Sequence, residues 1–408
     1  MKRLLFLAIP ALLCAEDLRE LLDFATMNNN IVVAKSLREE SKAKDIESAQ
    51  SAYYPTIDVG GNAQSFNART ANVPGETYNG YAKIGVDLYD GGKKSNTIEQ
   101  NKALLESSKY DTLAYAKNLQ LLIAQDFYTI KSLEASFKAL EEKHTQLTAD
   151  LDRIKKFYTV GSATTDEIDK LQAALSNNNY QMDATKFQIL SLKRLLGVKI
   201  GKKIVSLEDS TIEAPQNIQK ELGDDIKALS ASASSLTYTA KALHSAYLPQ
   251  IRLEDSYNLY DYGRTDLAHP QGLDNQNKLM LTFNIRLFDN GTVSRQKESL
   301  FIQQKALESE IKQSTEIQDI NADLAVSKID TTKAQIQSAK SSLDSALSTY
   351  EVISKKYELG AVDNIAYLDA LSVKTNAKAQ YEEALNNLQI AYASYYYYAN
   401  KNIKEFTK

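Results

Sequence analysis

Leu88-Tyr89-Asp90-Gly91-Gly92 and Leu287-Phe288-Asp289-Asn290-Gly291 are two copies of one short stretch. Before each copy, apolar residues alternate with polar ones. After each copy, apolar residues recur at helical spacing for well over sixty residues. Each copy therefore marks a switch from strand to a very long helix. Gly tolerates positive φ and Asn nearly so, which suits a sharp turn. Asp90 and Asp289 are placed to accept backbone N–H bonds at the helix start.

Upstream of the first copy, Ile57, Val59, Gly61 and Ala63 alternate with Asp58, Gly60, Asn62 and Gln64. From Tyr78, the series Tyr78, Gly80, Ala82, Ile84, Val86 and Leu88 alternates with Asn79, Tyr81, Lys83, Gly85 and Asp87. Upstream of the second copy, Ile251, Leu253, Tyr257 and Leu259 alternate with Arg252, Glu254, Ser256 and Asn258. Then Leu279, Leu281, Phe283, Ile285 and Leu287 alternate with Thr282, Asn284 and Arg286. A period of two with one apolar face predicts four strands, in two hairpins joined by loops over 67–77 and 263–276. Each hairpin follows a helix, over about 17–53 and 221–247, that stops at Pro55 or Pro249. In the first of these helices, Leu18, Leu21, Leu22 and Ala25 form one face, and Ile31, Ala34 and Leu37 form a second apolar series.

Downstream, the helices run over about 93–158 and 292–358. In the first, Ile98, Leu105, Leu119, Leu133, Leu140, Leu147 and Ile154 follow a seven-residue spacing with Thr112 and Asp126 as exceptions, and a second series includes Ala116, Ile123, Ile130, Phe137, Leu151 and Tyr158. Two seams mean neighbours on two sides. At about 1.5 Å per residue such a helix is on the order of 100 Å long, more than a single globular core needs. Gly161 and Gly360, 199 residues apart, end the two helices. The next helix opens with Thr164 and Glu167 at capping-box spacing, with Asp363 as the matching N-cap in the second half. It runs to about Leu196 and stops at Gly197, and 198–219 is an irregular connector; the last helix ends near Tyr395–Tyr398. The chain thus divides into a leader, 1–15, and two structural repeats, 16–215 and 216–408.

The leader has a positive start (Lys2, Arg3) and an apolar run, Leu4 to Leu13, too short to span a membrane. Cleavage after Ala15 leaves Glu16 first and removes Cys14, the only cysteine; attachment of lipid to Cys14 is the rival reading, disfavoured by the bulky Leu13 before it. Without Lys2 and Arg3 the 48 basic residues become 46 against 52 acidic ones, a charge of -6, which carries no nucleic-acid footprint. No apolar run is long enough for a transmembrane helix. His144, His244 and His269 are far apart in sequence and no Cys/His spacing suggests a metal. No phosphate loop or nucleophile motif occurs, so neither an enzyme nor a cofactor is expected.

Strands of about eleven residues with a clean apolar face are long enough to cross a bilayer when tilted. Tyr54, Tyr89, Tyr247 and Phe288 flank one end and Tyr78, Tyr260 and Tyr262 the other, as aromatic girdles do. The competing reading is two half-buried hairpins of a soluble sheet. Open edges do not sit in lipid, and four strands cannot close a barrel. Several chains sharing one barrel would resolve this, with Asp58, Lys83, Asp87, Arg252, Glu254 and Arg286 lining a wet lumen.

Ala52-Tyr53-Tyr54-Pro55, Leu88 to Gly92, and Phe157-Tyr158-Thr159-Val160-Gly161 with 164–174, followed by Ala246-Tyr247-Leu248-Pro249, Leu287 to Gly291 and Lys356-Tyr357-Glu358-Leu359-Gly360, resemble in order the TolC-like outer-membrane efflux protein family. The resemblance covers essentially the whole mature chain. It implies an α+β membrane protein: a homotrimer with a shared twelve-stranded outer-membrane β-barrel continuous with a long α-helical barrel in the periplasm. It implies an exit duct of a tripartite efflux pump or type I secretion system, docked to a periplasmic adaptor and an inner-membrane transporter and surrounded by outer-membrane lipid. Drugs, metals or polypeptides leave through such ducts. The family's tunnel is shut at the tip where the helix hairpins turn, here at Gly161 and Gly360, which are also the implied adaptor contacts. Acidic positions six residues after each Gly and nine after the second are here Glu167, Ala366 and Asp369. Asp369 is the candidate for an acidic gate ring, with Glu167, Asp166 and Asp363 as lesser ones that also suit helix capping and the helix dipole. The Arg used by well-studied members two residues after the second Gly is Val362 here. Two other classes compete. A secreted or surface coiled-coil structural or adhesion protein explains the leader and helices but not the hairpins. A periplasmic adaptor would carry strand-rich flanking domains, which are not evident.

Overall fold

The computed structural model describes residues 16–67, 74–216, 219–263 and 273–408. The leader, Cys14, His269 and most of both hairpin loops lie outside these. The elements are α1 (Leu18–Asn28), α2 (Asn30–Ser51), β1 (Thr56–Ser65), β2 (Glu76–Tyr89), α3 (Lys93–Thr159), α4 (Thr165–Ile200), α5 (Asp224–His244), β3 (Gln250–Gly263), β4 (Asn275–Asn284), α6 (Thr292–Glu358) and α7 (Asn364–Tyr398). Short 3₁₀ turns follow α5 and α7. Two compact units form, and each sequence repeat contributes to both.

The first unit holds α1, residues 112–224 and residues 314–408. Its main core packs Leu18, Leu21 and Leu22 of α1 with Ile123, Phe127 and Ile130 of α3, Leu196 and Ile200 of α4, and Tyr392 and Tyr396 of α7. A second core joins Leu147, Leu151 and Ile154 of α3 to Leu171 of α4, Tyr357 of α6, and Tyr367 and Leu371 of α7. Two isolated bridges, Glu16 to Leu207 and Ile212 to Thr407, fasten the connector after α4. Lys117 on α3 ties it further, reaching buried Asp224 at 2.6 Å and Asn400 at 2.9 Å.

The second unit holds residues 36–111 and 225–313. Its strands form one antiparallel sheet in the order β1-β2-β3-β4, so the hairpins pair with each other through β2 and β3. One face is mainly apolar: Ile57, Ile84 and Leu279 share a level, interrupted by Asp255 on β3, and Val86, Leu253 and Leu281 share another. Along β2 the polar-face residues Asn79, Tyr81, Lys83 and Gly85 are more covered than their apolar-face neighbours. β1 and β4 are the free edges.

Four expectations need correction. The first helix breaks at Asn29, whose extended backbone lets its side-chain oxygen accept from the N–H of Ile31 and Val32 and so start α2. Ile31, Ala34 and Leu37 are exposed rather than packed. Gly197 lies inside α4; the helix ends at Gly201, whose φ of 95° forms its cap. β4 ends at Asn284 opposite Gln250, the first residue of β3; with no partner beyond that point, Ile285, Arg286 and Leu287 leave the ladder.

Candidate functional site

The hairpin turns of the first unit close in the same way. After α3, the N–H of Gly161 bonds Tyr158 O at 3.0 Å and that of Ser162 bonds Phe157 O at 2.9 Å. After α6, Gly360 bonds Tyr357 O at 3.0 Å and Ala361 bonds Lys356 O at 2.8 Å. This doubled pattern needs a left-handed residue, and both glycines supply it, with φ of 76° and 73°. A Cβ at either would meet nothing within 4 Å, so the glycines serve the turn and leave its surface bare.

The acidic candidates sort by what holds them. Glu167 completes the capping box of α4, accepting from the N–H of Thr164 at 3.0 Å. Asp363 caps α7 through the N–H of Ala366 at 2.9 Å. Asp166 pairs with Lys170 at 2.6 Å. The Lys170 ammonium is held above its ordinary value by Asp166 first, with smaller contributions from Asp363 and Glu167. Of the three carboxylates, only Asp166 pairs directly with that cation. The amide of Asn364 also links the hairpins, donating to Glu167 O at 3.2 Å. Asp369 stands apart: it is exposed, and it borders a shallow depression with Ser342, Ser345, Thr349, Ile353 and Val373.

A second cluster was missed from the sequence. Asp150 on α3 is buried and accepts from the hydroxyl of Tyr367 on α7. Its other oxygen lies 3.1 Å from Arg153. The Arg153 guanidinium sits 5.3 Å from the Tyr357 ring centre, and that ring stacks on Tyr367 at 4.6 Å. Burial raises the hydroxyls of both tyrosines above the ordinary value, with Asp150 adding to the effect on Tyr367. The available signal was a carboxylate within the apolar stripe Leu147, Leu151, Ile154.

In the second unit, the register brings five of the six lumen candidates onto the polar face in ion pairs. Asp58 lies 3.9 Å from Lys83 and Asp87 lies 2.8 Å from Arg252, which is 3.7 Å from Glu254. Lys94 at the start of α3 joins Asp87 at 3.1 Å. Arg286 is not among them, because it lies past the end of β4. At the switch points, Asp90 accepts from the N–H of Gly92 at 3.0 Å and Lys94 at 2.7 Å, and Asp289 from Gly291 and Val293 at 3.0 Å each.

Among the described residues, no helix is long and apolar enough to cross a membrane, and no group of three or more His, Cys, Asp or Glu could hold a metal ion. The outer membrane efflux protein family matches residues 21–195 and 220–400. The chain belongs to that family. This efflux protein is accordingly an outer-membrane channel protein whose helical tunnel extends into the periplasm, and its family is one of non-enzymatic ducts. Solved structures share its fold. A membrane protein from Pseudomonas aeruginosa is 14% identical with a TM-score of 0.80, over 94% of this chain and 93% of that one. The outer membrane protein VceC of Vibrio cholerae is 13% identical with a TM-score of 0.78, over 95% and 96%. The CmeC outer membrane channel of Campylobacter jejuni is 18% identical with a TM-score of 0.76, over 93% and 86%. No curated protein matches the sequence.

Proposed function

We propose that three copies close one twelve-stranded barrel and form the exit duct of a tripartite efflux pump or type I secretion system. The observation that carries this reading is the pairing of β2 with β3. That pairing joins the second hairpin edge of one repeat to the first edge of the next. The free edges β4 and β1 are the same two edges, ten residues each, left without a partner among the described residues. Backbone groups at an edge need partners in lipid, so β4 of one copy meets β1 of another in the same antiparallel sense. The family is the second support.

On this reading the apolar face meets outer-membrane lipid, and Asp58, Lys83, Asp87, Arg252 and Glu254 line the lumen. The bare turns at Gly161 and Gly360 meet a periplasmic adaptor that couples the duct to an inner-membrane transporter. Asp369, exposed and uncommitted to a cap, supplies the gate ring. Glu167, Asp166 and Asp363 serve their helix starts. The cargo class is small toxic compounds or polypeptides.

The test is the mass of the particle extracted from outer membranes in mild detergent. A three-chain particle is expected. A chain that remains monomeric and soluble without detergent would overturn the shared barrel and favour a coiled-coil structural protein.

A further inference from the structure

Glycine within a strand gives up side-chain packing and marks a place where another group lies close on the backbone. Gly85, in the middle of β2, is such a place. It is buried although its strand neighbours are not, and what covers it is the guanidinium of Arg252 from β3. A Cβ on Gly85 would lie 2.5 Å from Arg252 Nη2 and 3.2 Å from Cζ. The guanidinium is held flat there from two sides: Nη1 donates to Asp87 Oδ1 at 2.8 Å, and Nε lies 3.7 Å from Glu254 Oε2. Lys94 takes the second oxygen of Asp87 at 3.1 Å. Two cations and two carboxylates thus balance within the wall. The device occurs again on the same face, where Tyr81 lies over Gly60 and a Cβ there would be 2.6 Å from its hydroxyl oxygen. The Arg252 cluster borders open space, a cavity of about 480 Å³ also lined by Lys93, Thr282 and Asn284.

We propose that Gly85 is a selectivity-determining residue of the barrel: it is the socket that keeps Arg252 against the wall and out of the passage. This rests on the lumen reading of the polar face. With the socket open, the guanidinium is neutralised in place and the passage carries little field at this level. With the socket filled, the arginine is the part that moves, because its tip is flexible and the strand backbone is not. It swings into the cavity and presents three positive charges per trimer at one height. A planar cation on a long stem, freed of its carboxylates, attracts anions in a confined lumen.

The experiment is the reversal potential of detergent-extracted protein in planar bilayers under a KCl gradient. Gly85→Ala should raise the anion-to-cation permeability ratio by about two- to fivefold, as a focused field in a narrow passage does. Arg252→Gln should lower the ratio, because Asp87 and Glu254 lose their counter-charge. The double variant should follow Arg252→Gln. A Gly85→Ala channel with wild-type selectivity overturns the socket, as does a double variant that follows Gly85→Ala. Should Gly85→Ala fail to insert, the double variant decides. If the double inserts, the clash with Arg252 was the obstacle and the socket stands; if both fail, it falls. A wild-type protein that forms no channel at all counts instead against the duct reading itself.

Discussion

Tyr367 on α7 donates its hydroxyl hydrogen to the buried carboxylate of Asp150 on α3. One hydrogen bond therefore joins the first helical hairpin to the second, 217 residues away in sequence. Asp150 is only 4% exposed and has two further partners, Arg153 at 3.1 Å and Gln146 at 3.2 Å. Tyr367→Phe keeps the stacked ring on Tyr357 and removes the donor alone. It leaves a buried carboxylate short of a partner and should cost about 1–3 kcal/mol. Adding Asp150→Asn should cost less than the sum of the two single changes, since both act on one network. Urea unfolding followed by circular dichroism measures this. Strict additivity would show that the two residues do not act together.

The same unit is predicted to fail cooperatively in alkali. Burial raises the hydroxyls of Tyr128, Tyr357 and Tyr367, and pushes Tyr396 up to about 12 from an ordinary 10. A folded-state value above the unfolded one contributes stability that is whole below pH 10 and is lost as pH climbs through the folded value. Stability should therefore be flat up to pH 10 and fall between there and about 12. Tyrosinate absorbance should show these four buried hydroxyls ionising together as helix is lost. Gradual ionisation of these four with the helices intact would contradict it.

Long elements with one period were legible in the sequence, because a strand face or a helix seam repeats its signal many times. Both long helices end within a residue of their expected bounds, at Thr159 and Glu358. What the sequence hid depends on a partner. Ile285 and Leu287 extend the alternation of β4, yet β3 has already begun at Gln250 and offers them nothing to pair with. Gly197 has the look of a stop but is a contact: a Cβ there would lie 2.8 Å from Lys202 O, where the chain folds back on its own helix. At the tip, Glu167 and Asp363 were readable as caps from spacing alone. Asp150 was visible as a charge in an apolar stripe, but nothing near it in sequence points to Tyr367.

Asp369 carries the prediction for the gate. It is exposed, lies beyond the capping turn of α7, and is the one acidic candidate at the tip that holds neither a cap nor a cation among the described residues. Three such carboxylates brought together in a trimer would attract cations. Asp369→Asn should weaken block by divalent cations and reduce cation selectivity in single-channel recordings, with folding unchanged. Asp363→Asn, which alters a cap, should change thermal stability more than selectivity. Equal block in wild type and Asp369→Asn would remove Asp369 from the gate.

The apolar face of the sheet carries a carboxylate in its middle, level with apolar residues on both neighbouring strands. Asp255 pairs in register with Ile84 on β2 and Leu279 on β4, and Leu253 and Tyr257 are its neighbours on the same face. Its Oδ1 is shielded from solvent and has no hydrogen-bond partner among the described residues. If this face meets lipid, the carboxylate lies within the apolar band, where an acidic residue costs less than a basic one but still costs. Asp255→Leu restores the alternation and should stabilise the barrel unit by on the order of 1–2 kcal/mol. The readout is the temperature at which the detergent-solubilised assembly dissociates, which should rise. A fall would mean that Asp255 holds a group that the apolar face needs, and that this face is not wholly given to lipid.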